Sequence, residues 1–257
     1  MFAEERHQRI MEVVNQKGKA TVAELSKALD VSPVTIRRDL EKLEENNLLV
    51  RTHGGAMSVN SGFMGTSVER SFSEKEEALA EEKQRIAEEA ASWVKDGESV
   101  LLTPGTTNMF LAKKLIAKKK LTLVTNAVNI AAYVTAHSDH ECIVLGGKVR
   151  RKSLASVGPM TEANLKQIRV DKLFLGADGV DIREGLTTPN MAEAAVNRGM
   201  MDIAREVILV ADHSKFGKVT FSSIAPIEMV DAVISDRGLN EEYVQSLRSA
   251  GIKVRLV

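Results

Sequence analysis

Apolar positions change rhythm once along the chain. In residues 1–57 they recur at helical spacing. Ile10, Val13 and Val14 share one side of a first helix, a second runs from Leu25 to about Leu29, and Ile36, Leu40 and Leu43 form the inward stripe of a third. Thr21-Val-Ala-Glu24 is a capping box that predicts the start of the second helix. Asp30-Val31 makes the following turn, and Ser32-Pro33 opens the third helix with a side-chain cap and a proline at the first helical position. Leu48 to Arg51 reads as a strand, Thr52-His53-Gly54-Gly55 as a tight turn and Ala56-Met57 as its return. Residues 58–72 are rich in Ser, Gly and Thr and read as a linker, and a charged helix is predicted from about Glu74. Beyond it, short continuous apolar runs at 99–103, 121–125, 142–146, 172–177, 207–211, 232–236 and 253–257 alternate with helical patterns at 108–117, 126–136, 159–168, 191–205 and 240–249. Runs of that kind are strands buried on both faces, and the alternation predicts a mainly parallel α/β sheet. The predicted organisation is therefore a small helical unit at 1–57, a linker at 58–72 and an α/β unit at 73–257.

The chain has 257 residues, 44% of them apolar and 27% charged, which places it among ordinary globular proteins. Its single cysteine, Cys142, excludes an internal disulfide and fits a reducing, cytoplasmic setting. Glu4, Glu5 and Arg6 leave no apolar stretch at the start, and no run approaches the ~18 apolar residues of a membrane span, so neither a leader nor a membrane partner is expected. The charge balance, 35 Lys and Arg against 35 Asp and Glu, argues at face value against a nucleic-acid binder. Local distribution matters more. Residues 1–57 hold nine of each sign, yet Val31 to Arg38 contains two arginines and no acid, and Arg51 is the only charge between Asn47 and Met57.

Those positions carry the chemistry of the first unit. Thr35, Arg37 and Arg38 lie off the inward stripe near the start of the third helix, where a helix-turn-helix presents side chains to the major groove. Arginine reads guanine there through two parallel hydrogen bonds. Taken alone, an Arg-Arg pair is a solvated helix face. The capping box, the Ser-Pro start and the Gly-Gly hairpin together make it a winged helix-turn-helix, with Ser32, Thr35, Arg37, Arg38, Arg51, His53 and Gly54 as the candidate DNA-contacting set. His53 either touches phosphate or fills the turn. The small basic surface implies weak binding per copy, so a homodimer or homotetramer is expected to engage double-stranded operator DNA. Val22-Ala-Glu-Leu25, Val31-Ser-Pro-Val-Thr-Ile-Arg-Arg-Asp-Leu40, Leu43-Glu44 and Leu48-Leu-Val-Arg-Thr-His-Gly-Gly-Ala56 resemble the DeoR family of bacterial transcription regulators. One departure is Asn46-Asn47, where the family commonly has a glycine.

In the second unit, small and polar residues follow the strands, the edge at which open parallel sheets bind ligands. Gly105-Thr106-Thr107 sits at a predicted helix start, where free amides and the helix dipole favour an anion such as phosphate; the plainer reading is an ordinary capping turn. No GxGxxG or GxxxxGK[ST] pattern follows a strand, which disfavours dinucleotides and nucleoside triphosphates. Lys215 is placed to pair with a phosphate or sugar oxygen, or is a solvated loop lysine, and Asp178 is an acceptor for sugar hydroxyls or a turn residue. His137, His140 and Cys142 are metal-capable but lack a distant partner set, so no metal and no cofactor are expected. Gly105-Thr-Thr107, Val124-Thr-Asn126, Leu145-Gly-Gly147, Phe174-Leu-Gly176, Asp178-Gly179, Glu193 with Met200, and Asp212-His-Ser-Lys-Phe-Gly217 resemble the same family's sensor domain, similar in fold to ribose-phosphate isomerases and glucosamine-phosphate deaminases. The resemblance implies a phosphorylated-sugar effector held by Gly105, Thr106, Thr107, Asn126, Gly146, Gly147, Asp178, Glu193 and Lys215. Thr103 and Pro104 stand where many members have Asp and Ser or Ala, which implies altered contacts to sugar hydroxyls. The expected function is repression of a carbohydrate operon, relieved by that effector. The alternative is a sugar-phosphate isomerase or deaminase with an appended DNA-binding unit, using Asp178, Glu193 and Lys215 for acid–base chemistry.

Overall fold

The capping box at Thr21 forms: Thr21 N donates to Glu24 Oε2 at 2.7 Å, and Glu24 N donates back to Thr21 Oγ1 at 3.2 Å. In the computed structural model, which describes residues 3–45, 48–52, 54–58, 69 and 71–257, this cap joins β1 (Lys19–Thr21) to α2 (Val22–Leu29). Before it comes α1 (Ala3–Lys17), and after it α3 (Pro33–Glu45), β2 (Leu49–Thr52) and β3 (Gly55–Ser58). Asp30, in the left-handed conformation at φ 52°, ends α2, and Val31 N donates to Ser26 O, closing the turn into α3. Ile10, Val14, Leu25, Leu29, Ile36, Leu40 and Leu43 bury together as the stripe requires. The predicted hairpin is the β2–β3 pair, and β1 adds a third antiparallel strand to it that the sequence pattern did not announce. His53, Asn46, Asn47 and most of segment 58–72 lie outside the described residues.

The second compact unit spans Met64–Val257. Its elements are α4 (Phe72–Glu77), α5 (Ala80–Ser92), β4 (Ser99–Leu102), α6 (Thr106–Leu115), β5 (Thr122–Thr125), α7 (Val128–His137), β6 (Glu141–Val144), β7 (Lys148–Val149), β8 (Ser156–Val157), α8 (Pro159–Leu165), β9 (Val170–Leu175), β10 (Gly179–Asp181), β11 (Gly185–Thr188), α9 (Met191–Ile203), β12 (Ala204–Val210), β13 (Ser222–Ala225), β14 (Ala232–Ser235), α10 (Glu241–Ser249) and β15 (Lys253–Leu256). The seven predicted apolar runs are the seven strands of one parallel sheet, ordered β15-β14-β12-β9-β4-β5-β6. Alternate residues enter opposite cores. Val100, Leu102, Phe174, Ile208 and Val210 pack with α5, α6 and α7, whereas Leu101, Leu173, Leu175, Val207 and Leu209 pack with α8, α9 and α10. Burial on both faces is why these strands read as continuous apolar runs.

Two features depart from the sequence pattern. The small sheet β10-β11-β13 lies outside the alternation of strand and helix. The charged helix expected from about Glu74 is two helices, α4 and α5, broken at Leu79 in the left-handed conformation (φ 52°). No helix of the described residues is long and apolar enough to cross a membrane.

Asp39 ties the first unit together. Flanked by the exposed Arg38 and the core residue Leu40, it turns inward and accepts from Arg6 Nε at 2.5 Å and Nη2 at 2.9 Å, with His7 Nε2 at 3.0 Å. Burial opposes its charge, but the hydrogen bonds from Arg6 and His7 outweigh that and hold the carboxyl below its ordinary pKa. A carboxylate with a depressed folded pKa stabilises above its unfolded pKa of about 4 and loses that contribution as pH falls through the folded value. Asp39→Ala is expected to destabilise the first unit by about 1.5–3 kcal/mol, the range for hydrogen bonds to charged groups. It should also flatten the acid side of the stability curve below pH ~5. Amide exchange of Ile36 and Leu40 in the full chain, measured against pH, checks both.

Candidate functional site

At the start of α3, Thr35 N donates to Ser32 Oγ at 3.2 Å and the two hydroxyls lie 2.9 Å apart. Ser32 is thus the cap that the Ser-Pro signal predicts. With Ile36 and Leu40 turned inward, Arg37 and Arg38 stand exposed on the outer face. Val34 stands beside them, 59% exposed. Sequence reasoning passed over Val34, because an apolar residue next to a core stripe reads as core. No acid competes on this turn: Asp39 faces Arg6, and Glu41 and Glu44 face the wing. Arg51 is where expectation needs correcting. Its guanidinium lies 3.3 Å from Glu41 Oε1 and 3.6 Å from Glu44 Oε2, so it is not the acid-free wing cation that its sequence neighbourhood suggests. The acids come from α3, one helical turn apart, 7 and 10 residues before Arg51 and outside the acid-free stretch around it. Gly54 is exposed, and its carbonyl accepts from Val22 N at 2.8 Å.

In the second unit the strand order reverses between β4 and β9, which are neighbours although their chains run on to opposite ends of the sheet. Such a switch point leaves a crevice at the carboxyl ends of the strands. A solvent-open cavity lies there, lined in part by the loops after β4, β5, β9 and β12. Asn108, on the first turn of α6, sets its shape. Its amide nitrogen lies 2.9 Å from both Thr103 O and Phe174 O and 3.0 Å from Thr103 Oγ1, joining the ends of β4 and β9. Thr103 Oγ1 also accepts from Gly176 N at 2.9 Å. Thr103 is therefore buried in this brace, and the residue replacing the family's carboxylate makes no part of the cavity wall.

The cavity brings together Gly105, Thr106, Thr107, Asn126, Asp178, Glu193 and Lys215. Gly105 caps α6 at φ 138°, a conformation open to glycine, and the first-turn amides of α6 follow it. Asn126 donates its amide to Ser156 O at 2.8 Å. The side-chain oxygens of Asn126 and Asn108, both residues only 1% exposed, have no hydrogen-bond partner among the described residues. Asp178 accepts from Lys75 Nζ at 2.6 Å and from Thr188 Oγ1 at 3.2 Å. Burial works against the Asp178 charge, but Lys75 and Lys215 hold its carboxyl below the ordinary range. Glu193 accepts from Arg150 and from Ser153. Asp212 caps the turn that carries Lys215, accepting from Ser214 N at 3.0 Å.

Two expected residues are elsewhere. Gly146 and Gly147 do not line the cavity. Gly146 O accepts from Thr161 Oγ1 at 2.9 Å, and a Cβ on Gly147 would sit 2.2 Å from that same oxygen. The smallness of Gly147 serves close packing of this turn on α8, whereas Gly146 has open space around its Cα. Sequence reasoning also missed Lys75, Lys83, Asn108, Lys152 and Asn197, all at the cavity wall. Lys83 is 3% exposed, donates to Lys75 O and Ala78 O, and is pushed below the ordinary lysine range by burial. The metal-capable group dissolves into local contacts: His137 Nδ1 lies 2.8 Å from Tyr133 O and His140 Nε2 3.0 Å from Leu115 O. No three-residue group suited to a metal occurs among the described residues.

Comparison with known proteins agrees with both halves. Residues 6–62 match the DeoR-like helix-turn-helix domain and residues 79–237 the DeoR C terminal sensor domain. The chain is 37% identical to the uncharacterized HTH-type transcriptional regulator YulB of Bacillus subtilis, over 100% of this chain and 98% of that one. It is 37% identical to the HTH-type transcriptional regulator GlpR of Haloferax volcanii, over 99% and 98%. It is 34% identical to the glycerol-3-phosphate regulon repressor of Escherichia coli, over 98% of each. Among solved structures, ribose 5-phosphate isomerase A of Methanocaldococcus jannaschii overlaps 53% of this chain and 54% of its own at a TM-score of 0.39 and 19% identity, too little to bear on fold or site. Full-length identity together with both domain matches establishes that this chain belongs to the DeoR family of helix-turn-helix transcriptional regulators, with a C-terminal sensor domain.

Proposed function

We propose that the protein represses a carbohydrate-metabolism operon by binding its operator DNA, and that a phosphorylated sugar or polyol in the sensor cavity controls it. The observation that carries the effector half is the wall of that cavity. The first turn of α6 and Lys75, Lys83 and Lys215 supply positive potential, while two buried amide oxygens and the carboxylates of Asp178 and Glu193 supply acceptors. An anion joined to hydroxyl groups matches both sets. Relatives support the reading by name, one being the glycerol-3-phosphate regulon repressor and another the HTH-type transcriptional repressor GlcR. Binding without turnover is favoured because the acids that proton transfer needs are engaged: Asp178 with Lys75, and Glu193 with Arg150.

On the DNA side, Arg37 and Arg38 supply base-edge donors, and exposed Val34 offers an apolar contact for a thymine methyl. Ser32, Thr35 and Gly54 sit where phosphate contacts position a helix-turn-helix, and Arg51 joins them on release from Glu41 and Glu44. With so small a basic surface, affinity rests on two or more copies bound side by side, as a homodimer or homotetramer.

Two measurements decide these assignments. Arg38→Ala should weaken operator binding by about 1–3 kcal/mol and relax specificity at one base pair; unchanged affinity and specificity in a mobility-shift series would remove Arg38 from the reading role. Thr106→Asp places a carboxylate against the incoming phosphate and should lower phosphosugar affinity at least tenfold by calorimetry. Undiminished affinity would put the phosphate elsewhere.

A further inference from the structure

The segment that enters the sensor unit from the linker is fastened to the cavity at every point where it touches. Phe72 N donates to Lys152 O at 2.8 Å, and Lys152 Nζ donates to Glu69 O at 3.0 Å. Glu69 receives both arms of Arg150, at 2.6 and 2.8 Å, and Arg150 in turn holds Glu193. Lys75 reaches Asp178 at 2.6 Å. Phe72, Lys75, Lys152, Asp178 and Glu193 all line the cavity. Lys83 donates to the carbonyls of Lys75 and Ala78, which brings its ammonium beneath the end of α4 just before the break at Leu79.

We infer that this segment, Glu69 and residues 71–79, is a strap that forms one wall of the effector site, and that Lys75 binds the effector's phosphoryl group directly, so that the anion pins to the sensor the stretch of chain next to the linker. The inference rests on the reading of the cavity as a phosphosugar site and deepens it. Lys75, Lys83 and Lys215 converge from three separate pieces of chain on a site that holds Asp178 and Asp212. With Lys152 and Glu193 also at the wall, four lysines face three carboxylates, an excess of one positive charge that a phosphoryl group neutralises. Burial already pushes the Lys83 ammonium towards its neutral form, and an anion in the recess reverses that push. Among the described residues, the Lys75 ammonium pairs with Asp178. With the anion it is held from two sides, and the strap loses freedom.

The test uses the full chain with inorganic phosphate, glycerol 3-phosphate and glucose 6-phosphate as probes. Calorimetry reads affinity, and amide exchange over residues 71–83 reads the strap. In the wild type, the bound probe should slow exchange across the strap at least tenfold. Lys75→Met should lower affinity at least tenfold and abolish that slowing, and Lys75→Arg should recover most of both. Thermal unfolding of each variant confirms that it is folded; if Lys75→Met is not, the Lys75→Met/Asp178→Asn double variant, which removes the unpaired carboxylate, is titrated with inorganic phosphate and should show the same loss. If the wild type binds and Thr106→Asp does not, while Lys75→Met or the double variant binds within twofold of the wild type with unchanged strap exchange, the cavity reading stands and the strap inference is overturned. If Thr106→Asp binds as well as the wild type, or no probe binds the wild type, the cavity reading itself fails and takes the strap with it.

Discussion

The amide group of Asn108 is the interaction on which the sensor unit turns. A parallel sheet whose strand order reverses must part its connections at the reversal, and the ends of β4 and β9, paired up to Leu102 and Phe174, open there into a crevice. Asn108 closes on Thr103 O and Phe174 O at once, so the two loops are joined at a set spacing. An asparagine amide has two hydrogens, and both are consumed in this brace. Its oxygen is left at the cavity wall without a protein partner. The same side chain that shapes the crevice therefore keeps a buried, unmet acceptor beside it, and Asn126 repeats the arrangement from the end of β5 by spending its amide on Ser156.

How much of this was readable in advance follows from the range of the interactions. The seven sheet strands and the helices between them were readable because burial on both faces imposes local apolar runs. The first unit was readable because capping boxes and proline positions are rules over three or four residues. Glycines were read only halfway. Gly105 does adopt a conformation open to glycine at the cavity, but Gly147 is small because Thr161 packs against it, and a sequence cannot tell these two reasons apart. Lys75 and Lys83 were missed because lysines on a charged helix look solvated. Their partners, Asp178 and the end of α4, are defined only once the chain has folded back. One local signal was present: Ser71 and Glu74 form the same box as Thr21 and Glu24, with Ser71 N donating to Glu74 Oε2 at 2.6 Å, and it marks the start of α4 before Glu74.

Net neutrality of the first unit also resolves into geometry. Nine cations and nine acids would cancel if spread evenly. Instead Asp39 is drawn inward to Arg6 and His7, and Glu41 and Glu44 gather at Arg51, so the outer face of the first turns of α3 keeps Arg37 and Arg38. Acids placed along the same helix act as internal ligands for cations elsewhere and leave the reading positions unopposed. The potential is local and short in range, confined to the first turns of α3.

The strap gives these two units a common currency. If the effector holds Lys75, its binding free energy includes the ordering of Glu69 and residues 71–79, and any state of the DNA-bound protein that strains or frees the neighbouring linker must change effector affinity by the same factor that effector changes operator affinity. A cavity closed only by sheet loops would bind its ligand without reference to the linker, because the sheet is rigid and its strands are shared by both cores. The break at Leu79 matters for the same reason. A single helix through residues 72–92 would run the strap straight into α5, whereas the left-handed leucine, costing about 1–2 kcal/mol by backbone sterics alone, breaks the helix and leaves α4 joined to α5 through Lys83. The ion pairs of the strap reach Asp178 from Lys75 and, through Arg150, tie Glu69 to Glu193, and both Asp178 and Glu193 stand at the cavity wall.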